Sequence, residues 1–154
     1  MGVQKILLPY NFTAHERKAL DFIIRTFAHR GDFKITLLYA YTPLPEIDVR
    51  ASPELRKMSA GLTVLSAELK KKEDGLISAK KHLLENGFSD DQIDYIFKQR
   101  RKDIPEEIID TVLSGHYDIL VLTPTLAKIK RLLARSVHDK VLRVLKDITI
   151  CLAT

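Results

Sequence analysis

The chain has one cysteine, no tryptophan, only six glycines and no apolar run long enough to cross a membrane. The single thiol, Cys151, excludes an internal disulfide framework and a paired-cysteine zinc site, and it fits a reducing compartment. It falls in an apolar stretch that reads as a buried strand, so an inert core thiol is expected. A membrane helix needs about 20 consecutive apolar residues. The opening Met1-Gly2-Val3-Gln4-Lys5 lacks the layout of a secretory signal, and Ile6 stands where myristoylation would want Ser or Thr. A cytoplasmic protein is the resulting expectation.

The scarcity of glycine removes further classes. There is no Walker A run, no GxGxxG after the first apolar segment and no nucleophile elbow. The five histidines are His15, His29, His82, His116 and His138, none four residues from another, so local spacing predicts no metal site. Ser136, His138 and Asp139 have the residue types of a catalytic triad. Positions two apart on a helix do not face each other, and Ser136 as N-cap with Asp139 at N3 accounts for them better. A receiver-type phosphorylation site would need acidic residues after the first strand, where this chain has Pro9-Tyr10-Asn11-Phe12. A slow nucleotide hydrolase would need a water-activating group and a metal ligand near the later basic loop, and neither is found. No catalytic residue, metal or cofactor is therefore expected, and the chain does not read as an enzyme.

What is present is an ordinary globular composition. Hydrophobic residues make up 45% and charged residues 29% of 154 positions, enough for one domain. The net charge of +5 comes from 25 basic and 20 acidic residues, interspersed, so a nucleic-acid partner is not expected. Periodicity gives five strands and four helices. Ile6-Leu7-Leu8 is a short apolar run ended by Pro9. Thr13 and Glu16 have capping-box spacing, and Ala19, Leu20, Ile23, Ile24, Phe27 and Ala28 form a helical stripe that Gly31 punctuates. Ile35 to Tyr39 is a second strand, and residues 41–52 form a loop.

Ser52-Pro53 starts a long helix. Its stripe is Leu55, Met58, Leu62, Leu65, Leu69, Lys72, Leu76, Ala79 and Leu83. At about 50 Å that helix must overhang the sheet or break near Gly61 or Gly75, and the overhanging half is a candidate surface for a protein partner. Asn86-Gly87 ends it. Ile93 to Phe97 is a third strand, Gln99-Arg100-Arg101-Lys102 a solvated connection, and Asp103 with Glu106 caps a helix striped by Ile104, Ile108, Ile109, Val112 and Leu113. Ile119 to Leu122, a basic loop to Arg135, a helix from Ser136 and a strand from Ile148 to Leu152 complete the chain. Alternating strands and helices predict one α/β domain with a parallel open sheet and helices on both faces. In such sheets ligands sit beyond the carboxyl ends of the strands, where the strand order reverses. The turn after the first strand and the loop after the fourth should meet there.

Lys5-Ile6-Leu7-Leu8-Pro9-Tyr10-Asn11-Phe12-Thr13, Tyr117-Asp118-Ile119-Leu120-Val121-Leu122 and the segment Lys130 to Arg143 resemble the universal stress protein family. The resemblance implies a single domain over residues 1–154 with strand order 3-2-1-4-5. It also implies a homodimer paired through the last strand, here Ile148, Thr149, Ile150, Cys151 and Leu152. The family's ATP binders carry an Asp after the first strand and the motif G-x2-G-x9-G-[ST]. Aligned on Ser136, the glycine positions here are Leu122, Thr125 and Arg135, and the acidic position is Asn11. Glycine lets backbone amides approach a phosphate, and each replacement adds bulk in that path. The usual ATP mode is therefore expected to be lost or badly weakened, leaving a regulatory or interaction module. The alternative is a small-molecule or nucleotide sensor with a rebuilt phosphate site. By resemblance Pro9, Tyr10, Asn11 and Ala40 would line the base end. Arg135, in place of a glycine, would put a guanidinium where the phosphate meets backbone, helped by Ser136 and the helix N-terminus, with Lys128 and Val137 completing the candidate pocket.

Overall fold

A computed structural model of the chain describes residues 2–44, 53–123, 145 and 147–153. The expected loop after residue 123, the helix from Ser136 and, in the earlier loop, residues 45–52 with the expected N-cap Ser52 lie outside the described residues. Five strands form one sheet in the order β3-β2-β1-β4-β5, and every described pairing is parallel. They are β1 (Gln4–Pro9), β2 (Phe33–Tyr41), β3 (Ile93–Gln99), β4 (Ile119–Leu122) and β5 (Thr149–Leu152). The order reverses between β1 and β4, which pair through Ile6 with Ile119 and Leu7 with Leu120. Successive side chains point to opposite faces, so β1 carries Ile6 and Leu8 into one core and Leu7 into another, all fully buried.

Helices α1 (Ala14–Phe27) and α2 (Pro53–Glu85) cover the first face, and α3 (Ile104–Gly115) covers the second. The Thr13–Glu16 capping box is fully formed. Helix α1 stops at Ala28 rather than at Gly31, and His29 takes the left-handed backbone at φ 63° that a glycine would have taken more cheaply. Helix α3 starts on Asp103, whose side chain accepts the Glu106 amide at 2.9 Å. Its stripe differs from the expected one at the end: Leu113 is 44% exposed, while Glu107 and Thr111 are buried. Gly115 is wanted for packing, since a Cβ there would stand 2.3 Å from the Tyr117 ring.

Helix α2 runs unbroken through both glycines for 33 residues, so the overhang is realised and the break is not. Leu76, Ala79 and Leu83 are buried on the sheet, whereas Met58, Val64 and Leu65 in the first half are exposed. No helix among the described residues is long and apolar enough to cross a membrane.

Candidate functional site at the carboxyl edge of the sheet

Proline ends β1, and the chain then turns sharply. The Tyr10 amide still donates to the Leu38 carbonyl at 2.8 Å, extending the β1–β2 ladder by one bond. Phe12 adopts φ 61°, a left-handed conformation that costs a bulky residue on the order of 1–2 kcal/mol. Thr13 then caps α1. The Glu16 carboxylate accepts from the Thr13 amide at 2.9 Å and from the Thr13 hydroxyl, and its other oxygen accepts the Thr123 hydroxyl at 2.9 Å. Thr123 follows β4, so this one buried carboxylate ties together the two loops that flank the strand-order reversal. Burial alone would raise the Glu16 pKa, but the Thr13 and Thr123 hydroxyls and the amides hold it below the ordinary value. Burial, then the Glu16 charge, pushes the Tyr10 phenol up.

A second buried carboxylate closes the other side of the edge. Glu107 accepts from the Arg101 amide at 2.7 Å and the Lys102 amide at 3.0 Å, and pairs with Lys98 Nζ at 3.0 Å. Burial would raise its pKa, but these donors outweigh it and bring it down to about 2. The connection 99–102 is thus exposed at the Arg101 and Lys102 side chains yet pinned through its backbone.

The edge also carries a chain of rings. Tyr10 meets Phe12 edge-on at 4.9 Å, Phe12 meets Tyr39 at 5.3 Å, and Phe97 stacks on Tyr39 at 5.9 Å and contacts Tyr41 at 4.8 Å.

The four residues expected at the base end do not act as one wall. Pro9, Asn11 and Ala40 converge on the α3 side with Leu38, Ile104, Glu107 and Ile108, around a space of only about 10 Å³. That is roughly the room one water needs. Tyr10 turns to the opposite side, against Phe12 and a groove of about 640 Å³ between α1 and α2. Lys128, Arg135, Ser136 and Val137 lie outside the described residues. At the far edge of the sheet, Ile150 and Cys151 of β5 are half-buried and Leu152 is 61% exposed; Ile148, just before the strand, packs into the α3-side core. Among the described residues no three His, Cys, Asp or Glu side chains gather to hold a metal.

Sequence reasoning found Glu16 only as half of a capping box. Its bond to Thr123, 107 residues away, has no local signal. Glu107 and the α1–α2 groove were missed for the same reason.

A family model described as the universal stress protein family matches residues 2–146. Comparison with curated protein sequences finds no match. Among solved structures, a universal stress protein family member from Burkholderia pseudomallei is 13% identical with TM-score 0.62, the match covering 97% of this chain and 94% of that one. The universal stress protein of Archaeoglobus fulgidus in complex with dAMP is 15% identical with TM-score 0.61, over 100% of both chains. A universal stress protein in complex with cAMP is 15% identical with TM-score 0.56, over 99% of this chain and 97% of that one. These structures share the fold.

Proposed function

The chain belongs to the universal stress protein family, and from that premise we propose that it is a regulatory module that senses an adenine nucleotide through a rebuilt phosphate site. Two structures of the same fold that hold dAMP and cAMP are the observation that carries this reading. Both ligands have one phosphate. The glycines replaced by Leu122, Thr125 and Arg135 matter most where several phosphates must lie against backbone amides. A mononucleotide asks for one anion contact, which the Arg135 guanidinium and the Ser136 hydroxyl are chemically suited to give.

Pro9, Asn11 and Ala40 then form the base end, and the space between them has to widen on binding. Asn11 can hydrogen-bond a ribose without the charge of the Asp found in ATP binders. This reading takes precedence over an interaction module with no ligand, which the glycine losses alone would favour. The buried carboxylates Glu16 and Glu107 are fully engaged as anchors, which suits binding rather than catalysis.

Assembly as a homodimer through the β5 edge belongs to the same proposal. An edge strand with an exposed Leu152 needs a cover, and a second copy supplies a matching edge.

Isothermal titration with AMP, cAMP and ATP tests the function. The expected result is saturable binding of a mononucleotide, weaker binding of ATP, and loss of binding in Arg135→Glu. Absence of binding by all three at millimolar concentration would overturn the sensor reading and return the chain to an interaction module. Sedimentation of wild type and Leu152→Lys tests the edge: a dimer that the lysine dissociates supports it, and a monomeric wild type overturns it.

A further inference from the structure

We propose that the groove between α1 and α2 is a second ligand site, separate from the nucleotide crevice, that takes a small aromatic anion. The groove measures about 640 Å³, within the roughly 300–1,000 Å³ of small-molecule sites. Tyr10 and Phe12 supply its aromatic wall, α1 contributes Arg17, and α2 contributes Ser78 and His82. The rings already meet edge-to-face, which offers a further aromatic group the same geometry.

The charge in the groove is not balanced. Lys81 and Glu85 pair with each other at 4.0 Å. Arg17 makes no hydrogen bond or ion pair among the described residues, and its neighbour Glu16 is buried and held by Thr13 and Thr123. Among the described residues, one exposed guanidinium is thus left in the lining that holds the two aromatic rings. A carboxylate or similar anion on a flat apolar body satisfies both at once.

The turn that builds this wall is held in an unfavourable backbone conformation. Phe12, at φ 61°, seats its ring on Gly75, where a Cβ would come within 2.4 Å of the ring, and Lys72 Nζ sits 4.8 Å from the ring centroid. A bulky residue is kept in a left-handed conformation only where its surroundings over-determine it, and such positions cluster at ligand sites. Pro9, Asn11 and Ala40 line the space on the opposite, α3 side, so the two sites are read out separately.

The test is a titration of ¹⁵N-labelled full-length protein with naphthalene-1-carboxylate, with naphthalene-1-methanol as the uncharged control. Saturable amide shifts centred on Phe12, Arg17, Gly75 and Ser78 are expected. Arg17→Glu is expected to weaken binding about tenfold or more, as is the uncharged probe. Arg17 lies on an exposed helix face, and an unchanged melting temperature in that variant shows that it folds. Gly75→Ala, which displaces the Phe12 ring, is expected to weaken the probe as well, in a protein whose folding the same spectra report. Shifts confined to Asn11 and Ala40, scattered shifts without saturation, or an Arg17→Glu affinity within twofold of wild type would each overturn the proposal.

Discussion

The two sides of the sheet's carboxyl edge start from one turn and end differently. On the α3 side, Glu107 gathers the Arg101 and Lys102 amides and the Lys98 ammonium, and the space beside Pro9, Asn11 and Ala40 closes to about 10 Å³. On the α1–α2 side, the Phe12 ring rests on Gly75 and leaves about 640 Å³ with Arg17, unpaired among the described residues, on its wall. A buried carboxylate draws donors inward and consumes polar capacity. A ring propped against a helix holds two elements apart and leaves that capacity free. Adjacent residues, Asn11 and Phe12, thus serve opposite purposes.

The largest expected effect comes from breaking the closed side. Glu107→Gln can accept only through one oxygen and brings two donors towards the buried amides and Lys98. A loss of about 1–3 kcal/mol in denaturant unfolding is expected. The pH dependence sharpens the point. The folded pKa of Glu107 is depressed to about 2 from its ordinary 4.5, so its contribution is complete above pH 4.5 and is lost as pH falls from there through about 2. The acid limb of the wild-type stability curve should be steeper over that window than the limb of Glu107→Gln, and superimposable limbs would count against the assignment.

The open side is broken more gently. Gly75→Ala forces the Phe12 ring away, and the cost of overpacking, typically about 1–3 kcal/mol, exceeds the gain of about 1 kcal/mol in helix propensity. A net destabilisation is expected. Gly61→Ala on the same helix is its control. Nothing stands within 4 Å of that position, so a gain of about 0.5–1 kcal/mol is expected. Equal signs for the two alanines would break the link between Gly75 and the groove. The smallest effect is expected at Leu65, exposed on the projecting half of α2, where Leu65→Ala should stay within about 0.5 kcal/mol.

Much of the frame was legible because its signals are local. Strand β1 is read from three consecutive apolar residues before Pro9, and α1 from the Thr13–Glu16 spacing that the structure reproduces as a capping box. The start of α2 and its end at Asn86-Gly87 were read from cap and turn residues, and Gly87 adopts a positive φ of 106°, whereas its unbroken passage through Gly61 and Gly75 was left open by the sequence. Leu113 was misplaced because a helical stripe has finite width, and only the neighbouring elements decide which of its margins is covered. The site was less legible. Tyr10 was placed with Pro9, Asn11 and Ala40 by resemblance, and in the structure it faces the α1–α2 groove while the other three line the α3 side, because successive residues leave a strand end in opposite directions.

The sequence by itself determined the order of the described elements and the parallel sheet, because apolar period, caps and turn residues act over a few positions along the chain, while the family was read from the resemblance of its two ends and is borne out by the family model. The tertiary structure alone decided where α2 leaves the sheet and which of two carboxylates holds which loop. It also decided that one turn serves a closed space and an open groove. Those outcomes depend on pairs such as Glu16 with Thr123 and Phe12 with Gly75, brought together by packing from 107 and 63 positions apart. No spacing rule reaches that far, since burial and hydrogen-bond satisfaction are settled only when the whole sheet is covered.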